Sequence, residues 1–363
     1  MSLTLDTVSK VMGGEVHIAP TTIEFASGSM NVLLGPTLSG KTTLMRLMAG
    51  LDQPTSGRVF WQGRDVTGMR VQDRQVAMVY QQFVNYPSMT VYENIASPLR
   101  LRGFASAEID AKVRAAAAMM KLNESQLGRR PLELSGGQQQ RCALARALVK
   151  EAGLVLLDEP LANLDYKLRE ELRAEIPKIF EESGAIFVYA TTEPHEALLL
   201  GGNTACLWEG RVTQFGATPS VYRRPTDATT ARVFSDPPMN FVALSKAGDE
   251  LVIDDARLAA DFPTFNRLAD GRYIAGFRAN HLRIERGSER DLAFHCRVTG
   301  TEIGGSESFV HVLHGADRWV ALVHGVHDLP HQSDRTVFVD PAHVYMFAPD
   351  GALACAAAYA DAG

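Results

Sequence analysis

Cysteine is scarce in this sequence: its 363 residues include four, far apart at Cys142, Cys206, Cys296 and Cys355. None belongs to a CxxC pair, so we expect neither a zinc site nor a disulfide framework, and we interpret them as reduced thiols of a cytosolic protein. Long apolar runs are missing too, since none approaches the ~18 residues that span a bilayer. The N-terminus, MSLTLDTVSK, has no apolar signal core. We therefore expect a chain that does not enter the membrane itself, although it can dock onto something that does.

An excess of basic residues is absent as well: the net charge is −6 and the isoelectric point is near 5.9. General nucleic-acid binding usually leaves a basic footprint, so we predict no nucleic-acid partner. Five of the ten histidines lie close together late in the chain: His311, His314, His324, His327 and His331. Because they alternate with apolar residues, we interpret them as surface or strand-edge residues, with a metal site as the alternative.

Short apolar runs and helical segments alternate in the first part of the chain. The predicted buried strands are 30–34, 154–157 and 185–190, and the predicted helices between them include 42–49 and 166–182. Pro177 is expected to kink or shorten the second helix. This alternation predicts a parallel α/β sheet. The almost wholly helical stretch from about 88 to 150 predicts a subdomain inserted into that sheet.

The sequence pattern changes after residue 235, where SDPPMN (235–240) indicates a turn-rich linker. Beyond it come short alternating strands: 271–278, 294–298, 309–313, 319–323 and 336–339. We therefore predict a first domain over 1–235 and a second, all-β domain, a small barrel or sandwich, over 236–363. The alanine-rich tail at 352–358 is expected to be loosely ordered.

The segment GPTLSGKTT fits the phosphate-binding pattern G-x-x-x-x-G-K-[ST], and it lies after a predicted strand and before a predicted helix. Glycines let the backbone wrap around phosphate oxygens, and the N–H groups of the helix N-terminus supply positive potential. Lys41 is expected to reach the β- and γ-phosphates, and the Thr42 hydroxyl to ligate Mg²⁺. The residues predicted to bind nucleotide here are Gly35, Pro36, Thr37, Leu38, Ser39, Gly40, Lys41, Thr42 and Thr43.

LVLLDEP (154–160) is an apolar strand that ends in two carboxylates. Asp158 is expected to hold Mg²⁺ through water, and Glu159 to act as general base on the attacking water. The motif is weak alone, but it is strong when it follows a phosphate loop at this distance.

LSGGQQQR (134–141) is too polar and glycine-rich for the start of a core helix, yet a good helix continues from Cys142. Ser135 is expected to cap this helix, and Gly136 and Gly137 to expose N–H groups where an anion can sit; Gln138 completes the predicted nucleotide contacts. A single phosphate loop needs no second anion-binding terminus in its own chain. We therefore infer that the target is the nucleotide of another subunit.

With LSGGQ, the sequence resembles the ABC ATPase family, whose signature this is, and the resemblance covers nearly the whole chain. It implies ATP and Mg²⁺ as cofactors, and it assigns Gln81 of MVYQQF (78–83) as a Mg²⁺-sensing residue that also contacts membrane subunits. LANLD (161–165) matches the loop that carries Asp165 across the dimer interface. The implied fold is an α/β P-loop NTPase core with an inserted helical subdomain, followed by an all-β C-terminal domain.

Four further segments look like those of carbohydrate-importer ATPases: YQQFVNYPSMTVYENIASPL (80–99), SDPPMN (235–240), FRANHLRI (277–284) and DPAHVYMF (340–347). That subfamily implies oligonucleotide-binding-like (OB-like) β subdomains used for dimer contacts or regulation. It also implies a second ATPase subunit, two transmembrane permease subunits and, indirectly, a periplasmic solute-binding protein. The expected location is the cytoplasmic face of the inner membrane, as a peripheral protein.

Two positions depart from the family pattern. In TTEPHEA (191–197), Thr192 stands where the family usually has a histidine, and His195 comes three residues later. A threonine hydroxyl can hydrogen-bond a γ-phosphate, but it cannot carry a proton at neutral pH. Met12 stands where the family has an aromatic residue that stacks on adenine. The hypothesis is that this chain's own site is weakened while its signature segment completes an active site on a partner.

The resemblance therefore predicts an ATP-hydrolysing subunit of a bacterial ABC importer for a sugar, a polyol such as glycerol, or a glycerol phosphate, in a pair of different ATPases like that of some glycerol importers. The alternatives are a homodimeric importer ATPase and a largely regulatory ABC protein with weak ATPase activity. A DNA-repair or translation ATPase is disfavoured because the chain lacks a second ATPase unit, long coiled coils and basic extensions. An exporter usually lacks such a C-terminal β domain.

Overall fold

A computed structural model describes residues 2–82, 84–162, 164–253, 256–259, 262–266 and 268–361. The chain divides into two compact units, Met1–Phe215 and Gly216–Gly363. This division lies upstream of the boundary expected at residue 235, so the helical segments before the SDPPMN linker belong to the second unit.

The first unit is built from alternating strands and helices. Its strands are β1 (Ser2–Met12), β2 (Glu15–Ala26), β3 (Met30–Leu34), β4 (Ser56–Trp61), β5 (Arg64–Asp65), β6 (Val76–Val79), β7 (Leu154–Asp158), β8 (Ile186–Thr191), β9 (Asn203–Trp208) and β10 (Arg211–Ala217), whose last residues pass into the second unit. Its helices are α1 (Lys41–Ala49), α2 (Val91–Leu101), α3 (Ser106–Met119), α4 (Glu124–Leu127), α5 (Gly136–Leu148), α6 (Tyr166–Ser183) and α7 (Pro194–Leu200).

The central sheet has the strand order β10-β9-β3-β8-β7-β6, and the pairs β9–β3, β3–β8, β8–β7 and β7–β6 are parallel. Every residue of β3, β7 and β8 is buried, which explains their predominantly apolar sequences. A second sheet, β2-β1-β4-β5, is antiparallel in its described pairings. Because the carboxyl ends of parallel strands share one edge, the segments after β3, β7 and β8 lie together there.

Helices α2 to α5 fill the chain between β6 and β7. This confirms the predicted α/β core with an inserted helical part. Pro177 lies inside α6, so the prediction that it shortens this helix is wrong. The proline removes one backbone hydrogen bond, but Leu172, Ile176 and Ile179 around it are buried, and their packing holds the helix.

The second unit is dominated by antiparallel strands. Its helices are α8 (Thr218–Arg223), α9 (Ala228–Val233) and α10 (Pro263–Asn266), and its strands are β11 (Asn240–Ala247), β12 (Glu250–Ile253), β13 (Ala256–Ala259), β14 (Gly271–Phe277), β15 (Leu282–Arg283), β16 (Leu292–Ile303), β17 (Glu307–His314), β18 (Asp317–His324), β19 (Asp334–Val339), β20 (Tyr345–Phe347) and β21 (Leu353–Cys355). They form the sheets β13-β12-β11-β14-β20-β21 and β15-β19-β16-β17-β18. This agrees with the expected OB-like all-β domain.

The core of the second unit gathers around Trp319, whose indole N–H donates to the Phe241 carbonyl at 2.9 Å. Asn240, at the end of the SDPPMN segment, exchanges hydrogen bonds with Val320 of the other sheet at 2.8 and 2.9 Å. The linker therefore begins a strand that ties the two sheets together.

The alanine-rich tail is ordered, contrary to expectation. β21 pairs with β20, and Ala357 is fully buried in a cluster with Tyr345 and Phe347. Small side chains allow the tail to pack closely against these aromatic rings. Among the described residues, His311 and His314 lie on β17 and no group of three or more His, Cys, Asp or Glu could hold a metal.

Candidate functional site

The phosphate loop begins directly after β3. The Gly35 N–H donates to the Thr191 carbonyl at 3.3 Å, which fixes the loop beside the end of β8. A Cβ at Gly35 would lie 2.4 Å from the Leu207 carbonyl oxygen, and Gly40 has φ 103°, so each position requires glycine. Since Gly40 is the N-cap of α1 and has no side chain, the first N–H groups of this helix face the loop without a side-chain cap.

Lys41 is buried beneath the loop. Its ammonium donates to the carbonyls of Gly35 at 2.7 Å and Pro36 at 3.0 Å, and it lies 3.5 Å from a carboxylate oxygen of Glu159. Burial lowers the pKa of Lys41, and the neighbouring Glu159 charge opposes that shift. The lysine is thus held extended along the loop by acceptors that a stronger anion can replace.

Glu159 projects from the turn after β7. Its φ of 46° is in the left-handed region, and its N–H donates to the Ala190 carbonyl at 3.0 Å. Such a conformation is uncommon for a non-glycine residue and is found preferentially at functional sites. Gln81 donates from Nε2 to the Glu159 carboxylate at 2.9 Å. Two residues on either side of the helical insertion in the sequence therefore meet at the phosphate loop.

Asp158, the last residue of β7, is buried. Burial raises the pKa of this carboxyl, and a hydrogen bond with the Thr42 side chain lowers it. A carboxylate, a hydroxyl and a nearby amide oxygen are the ligand types that Mg²⁺ prefers. The predicted metal ligands Thr42, Gln81 and Asp158 thus fit that ion in chemistry.

A cleft of about 540 Å³ opens over the loop. It is lined by the phosphate-loop residues Thr37 to Thr43, by Gln81 and Glu159, and by residues that sequence reasoning missed: Glu15, Val16, His17, Glu209 and Gly210. The missed residues come from the β1–β2 and β9–β10 hairpins. The only sequence feature that could have pointed to these residues is the glycine-containing turn near each of them.

Met12 is exposed at the end of β1 and opposes Glu15 across the hairpin. Its apolar neighbours Val11 and Val16 are also exposed, and Val16 lines the cleft. The structure therefore places Met12 in an apolar rim next to the cleft, and not among the residues that line it.

The LSGGQ segment forms a capped helix terminus, as expected. Ser135 is the N-cap of α5 and accepts from the Gln138 N–H at 3.4 Å, while the Gln138 side chain accepts from the Ser135 N–H at 3.2 Å. Ser135 and Gly136 are exposed, and a Cβ at Gly136 would meet nothing within 4 Å. None of these residues lines the cleft over this chain's own loop.

Thr192 is exposed between the end of β8 and α7, and the next residue, Glu193, is the N-cap of that helix. His195 is exposed on the first turn of α7. Because the preceding carbonyl, that of Thr191, accepts from Gly35, Thr192 lies next to the phosphate loop in the fold. The roles assigned to Thr192 and the other individual site residues stay predictions.

Comparisons with known proteins agree with this arrangement. Residues 18–162 match the family model described as ABC transporter. The chain is 37% identical to the sn-glycerol-3-phosphate import ATP-binding protein UgpC of Burkholderia pseudomallei (strain 1710b), over 96% of this chain and 98% of that protein. It is 41% identical to the trehalose/maltose import ATP-binding protein MalK of Thermococcus litoralis, over 68% of this chain and 66% of that protein.

Among solved structures, the dimeric post-hydrolysis state of the ATP-binding cassette MJ0796 bound to ADP and Pi matches with a TM-score of 0.55 and 28% identity. The match covers 60% of this chain and 98% of that one. Fold and site thus define an ATP-binding P-loop ATPase. The chain belongs to the ABC transporter family and is an ATP-hydrolysing subunit that powers a bacterial importer. No helix in the described part of the chain is long and apolar enough to cross a membrane.

Proposed function

We propose that this subunit binds ATP with Mg²⁺ in the cleft over its phosphate loop and works in a head-to-tail pair of ATPases that drives import of a sugar, polyol or glycerol phosphate. The observation that supports this assignment of the ATP site is the convergence of Lys41, Gln81 and Glu159 at that loop. The cargo class is supported by relatives named for glycerol-phosphate and trehalose/maltose import.

In the proposed mechanism the phosphates of ATP replace the Gly35 and Pro36 carbonyls as partners of the Lys41 ammonium, because charged phosphate oxygens accept more strongly. Glu159 takes a proton from the attacking water, and Gln81 holds its carboxylate in place. Thr42, Gln81 and Asp158 would hold Mg²⁺, which would supply positive charge at the phosphate oxygens. Thr192 donates a hydrogen bond to the γ-phosphate.

The capped terminus at Ser135 to Gln138 lies outside the cleft over this chain's own loop and is expected to bind the nucleotide of a second ATPase subunit. Two permease subunits would dock at the surface near Gln81, Gln82 and Tyr86, where Tyr86 is exposed. A periplasmic solute-binding protein would deliver the cargo to those permeases. This assembly makes the chain a peripheral protein on the cytoplasmic face of the inner membrane.

We further propose that the second ATPase is a different chain, because Thr192 cannot carry the proton that the family's histidine carries. Purification of the tagged chain from native membranes tests this. Recovery of two permeases with a second, different ATPase supports the heteromeric importer. Recovery of permeases with this ATPase alone indicates a homodimer, and recovery of no membrane protein contradicts the transport function.

A matched enzymatic test replaces Thr192 with histidine in the purified complex. If the site is weakened by the missing imidazole, Thr192→His raises the ATPase rate of this chain's own site, measured with the partner ATPase's site inactivated, by up to ~100-fold for restored acid–base chemistry. His195→Ala is the control, because His195 is exposed on α7, and it should leave the rate unchanged. An unchanged rate in Thr192→His contradicts the weakened-site hypothesis.

A further inference from the structure

Two arginines of α6 bridge to two glutamates that follow β8. Arg169 Nη1 lies 3.2 Å from Glu193, and Arg173 Nη2 lies 3.5 Å from Glu193 and 3.1 Å from Glu196. We call these four residues the arginine bridge. It joins the helix after the LANLD segment to the segment that contains Thr192.

The bridge is mostly shielded from water at its Arg173–Glu196 end. The Arg173 side chain is 9% exposed and that of Glu196 is 6% exposed. The second carboxylate oxygen of Glu196 accepts from the Thr191 hydroxyl at 2.6 Å and from the Tyr189 hydroxyl at 3.1 Å. A buried ion pair is seldom more stable than apolar residues of similar size, so a gain in stability alone does not account for this one.

At the α6 end, the bridge holds the segment that precedes the helix. The Arg169 backbone N–H donates to the Asp165 carbonyl at 2.9 Å, and its guanidinium donates to the Leu164 carbonyl at 3.4 Å. One arginine therefore contacts both the LANLD segment and Glu193. Asn163 of that segment lies outside the described residues.

At the other end, the bridge flanks Thr192 on both sides. The Glu193 N–H donates to the Thr191 hydroxyl at 3.0 Å, and the Thr191 carbonyl accepts from Gly35 of the phosphate loop. Thr192 thus lies between Glu193, which both arginines contact, and Thr191, whose hydroxyl donates to Glu196. A shift of the LANLD segment would be transmitted through Arg169 to the residue beside this chain's nucleotide.

We propose that Arg169 and Arg173 are positioning residues that couple the LANLD segment to Thr192. This inference rests on the proposed function, in which Asp165 meets the partner subunit and Thr192 meets ATP. Closure of the partner over the LANLD segment then sets Thr192 at the γ-phosphate before hydrolysis. The planar guanidinium can bond a carboxylate and a carbonyl at once, and a lysine ammonium reproduces its charge without that fork.

The test uses the complete transporter, with this chain carrying Arg169→Ala, Arg169→Lys, Glu193→Gln or the double change Arg169→Ala/Glu193→Gln. The control is Lys178→Ala, since Lys178 lies on the same helix, is 64% exposed and pairs with Glu175 alone among the ion pairs described for it. The partner ATPase carries an inactivating substitution in its own hydrolytic site, so that ATPase kcat and KM for ATP report the site of this chain, and Tm is measured for each variant.

We expect Arg169→Ala to lower kcat about 10-fold, with KM within about 2-fold of wild type, because it misplaces a group that acts in the transition state. Its Tm should match that of Lys178→Ala. Arg169→Lys should recover part of kcat. The kcat of the double variant should be no lower than that of the slower single variant, because both substitutions remove the same Arg169–Glu193 interaction.

A kcat equal to that of wild type in Arg169→Ala would overturn the proposal. A double variant whose fold loss in kcat is the product of the two single losses would overturn it too. A fall in Tm accompanied by a matching rise in KM also overturns it, since that pattern marks a merely structural role. If the wild-type transporter has no ATPase activity, the proposed function itself is contradicted. This outcome is distinct from failure of the arginine-bridge proposal, which requires an active wild type and concerns the variants alone.

Discussion

His281 of the second unit should make its stability depend on pH. Its ring packs against His343, with 4.1 Å between centroids, and against Tyr359 at 5.3 Å. Burial lowers the pKa of His281 to about 3, and the nearby charges of His343, Arg278 and Arg283 act in the same direction. The imidazole is therefore neutral in the folded protein at every physiological pH.

The unfolded chain binds this proton with an ordinary pKa of about 6.5, so it takes up more protons than the folded chain below that pH. Stability is therefore complete above pH 6.5 and is lost progressively as the pH falls towards 3. The loss due to His281 is about 2 kcal/mol at pH 5, since one pH unit below the unfolded pKa corresponds to about 1.4 kcal/mol. His281→Phe keeps a ring in place and removes this loss.

Urea unfolding at pH 7.5 and pH 5.0 measures the effect. Replacing Trp61 and Trp208 with phenylalanine leaves Trp319, which is buried in the second unit, as the only tryptophan reporter. Between the two pH values the parent should lose about 2 kcal/mol more than His281→Phe. Equal losses in the two proteins would refute the burial argument, because the remaining titrating groups are the same in both.

Three further outcomes follow from the geometry. Glu159→Gln should lower the ATPase rate of this chain's own site at least ~100-fold while leaving ATP binding intact, and loss of ATP binding in an equilibrium titration would contradict its role as base. Arg278→Ala should destabilise the second unit by about 3–5 kcal/mol, because this buried arginine donates to the Phe234 and Tyr222 carbonyls at 2.6 and 2.7 Å and stacks on the Tyr222 ring. The exposed Arg297→Ala, measured by the same urea unfolding, should cost at most about 1 kcal/mol, and equal losses would count against the reasoning. Met12→Tyr should tighten ATP binding about 2- to 10-fold through ring stacking, and an unchanged Kd would place the adenine elsewhere.

The sequence alone determined the phosphate loop, the strand-terminal carboxylates and the capped LSGGQ terminus. Each is a local pattern, because the residues that its backbone conformation requires are close together in the sequence. Examples are glycine at positions 35 and 40 and the serine cap at position 135. The parallel sheet followed in the same way from continuous apolar runs. The all-β second unit followed from alternating strands.

Only the tertiary structure decided which distant residues meet. Gln81 and Glu159 are 78 residues apart, and the hairpin residues Val16 and His17 reach the cleft through packing that no local pattern encodes. Pro177 stays inside α6 because its neighbours are buried, and Ala357 is ordered because the aromatic residues of β20 cover it. The free energy of local conformational preference is small compared with that of burying apolar surface. Such outcomes therefore depend on which residues pack against each other in the folded chain.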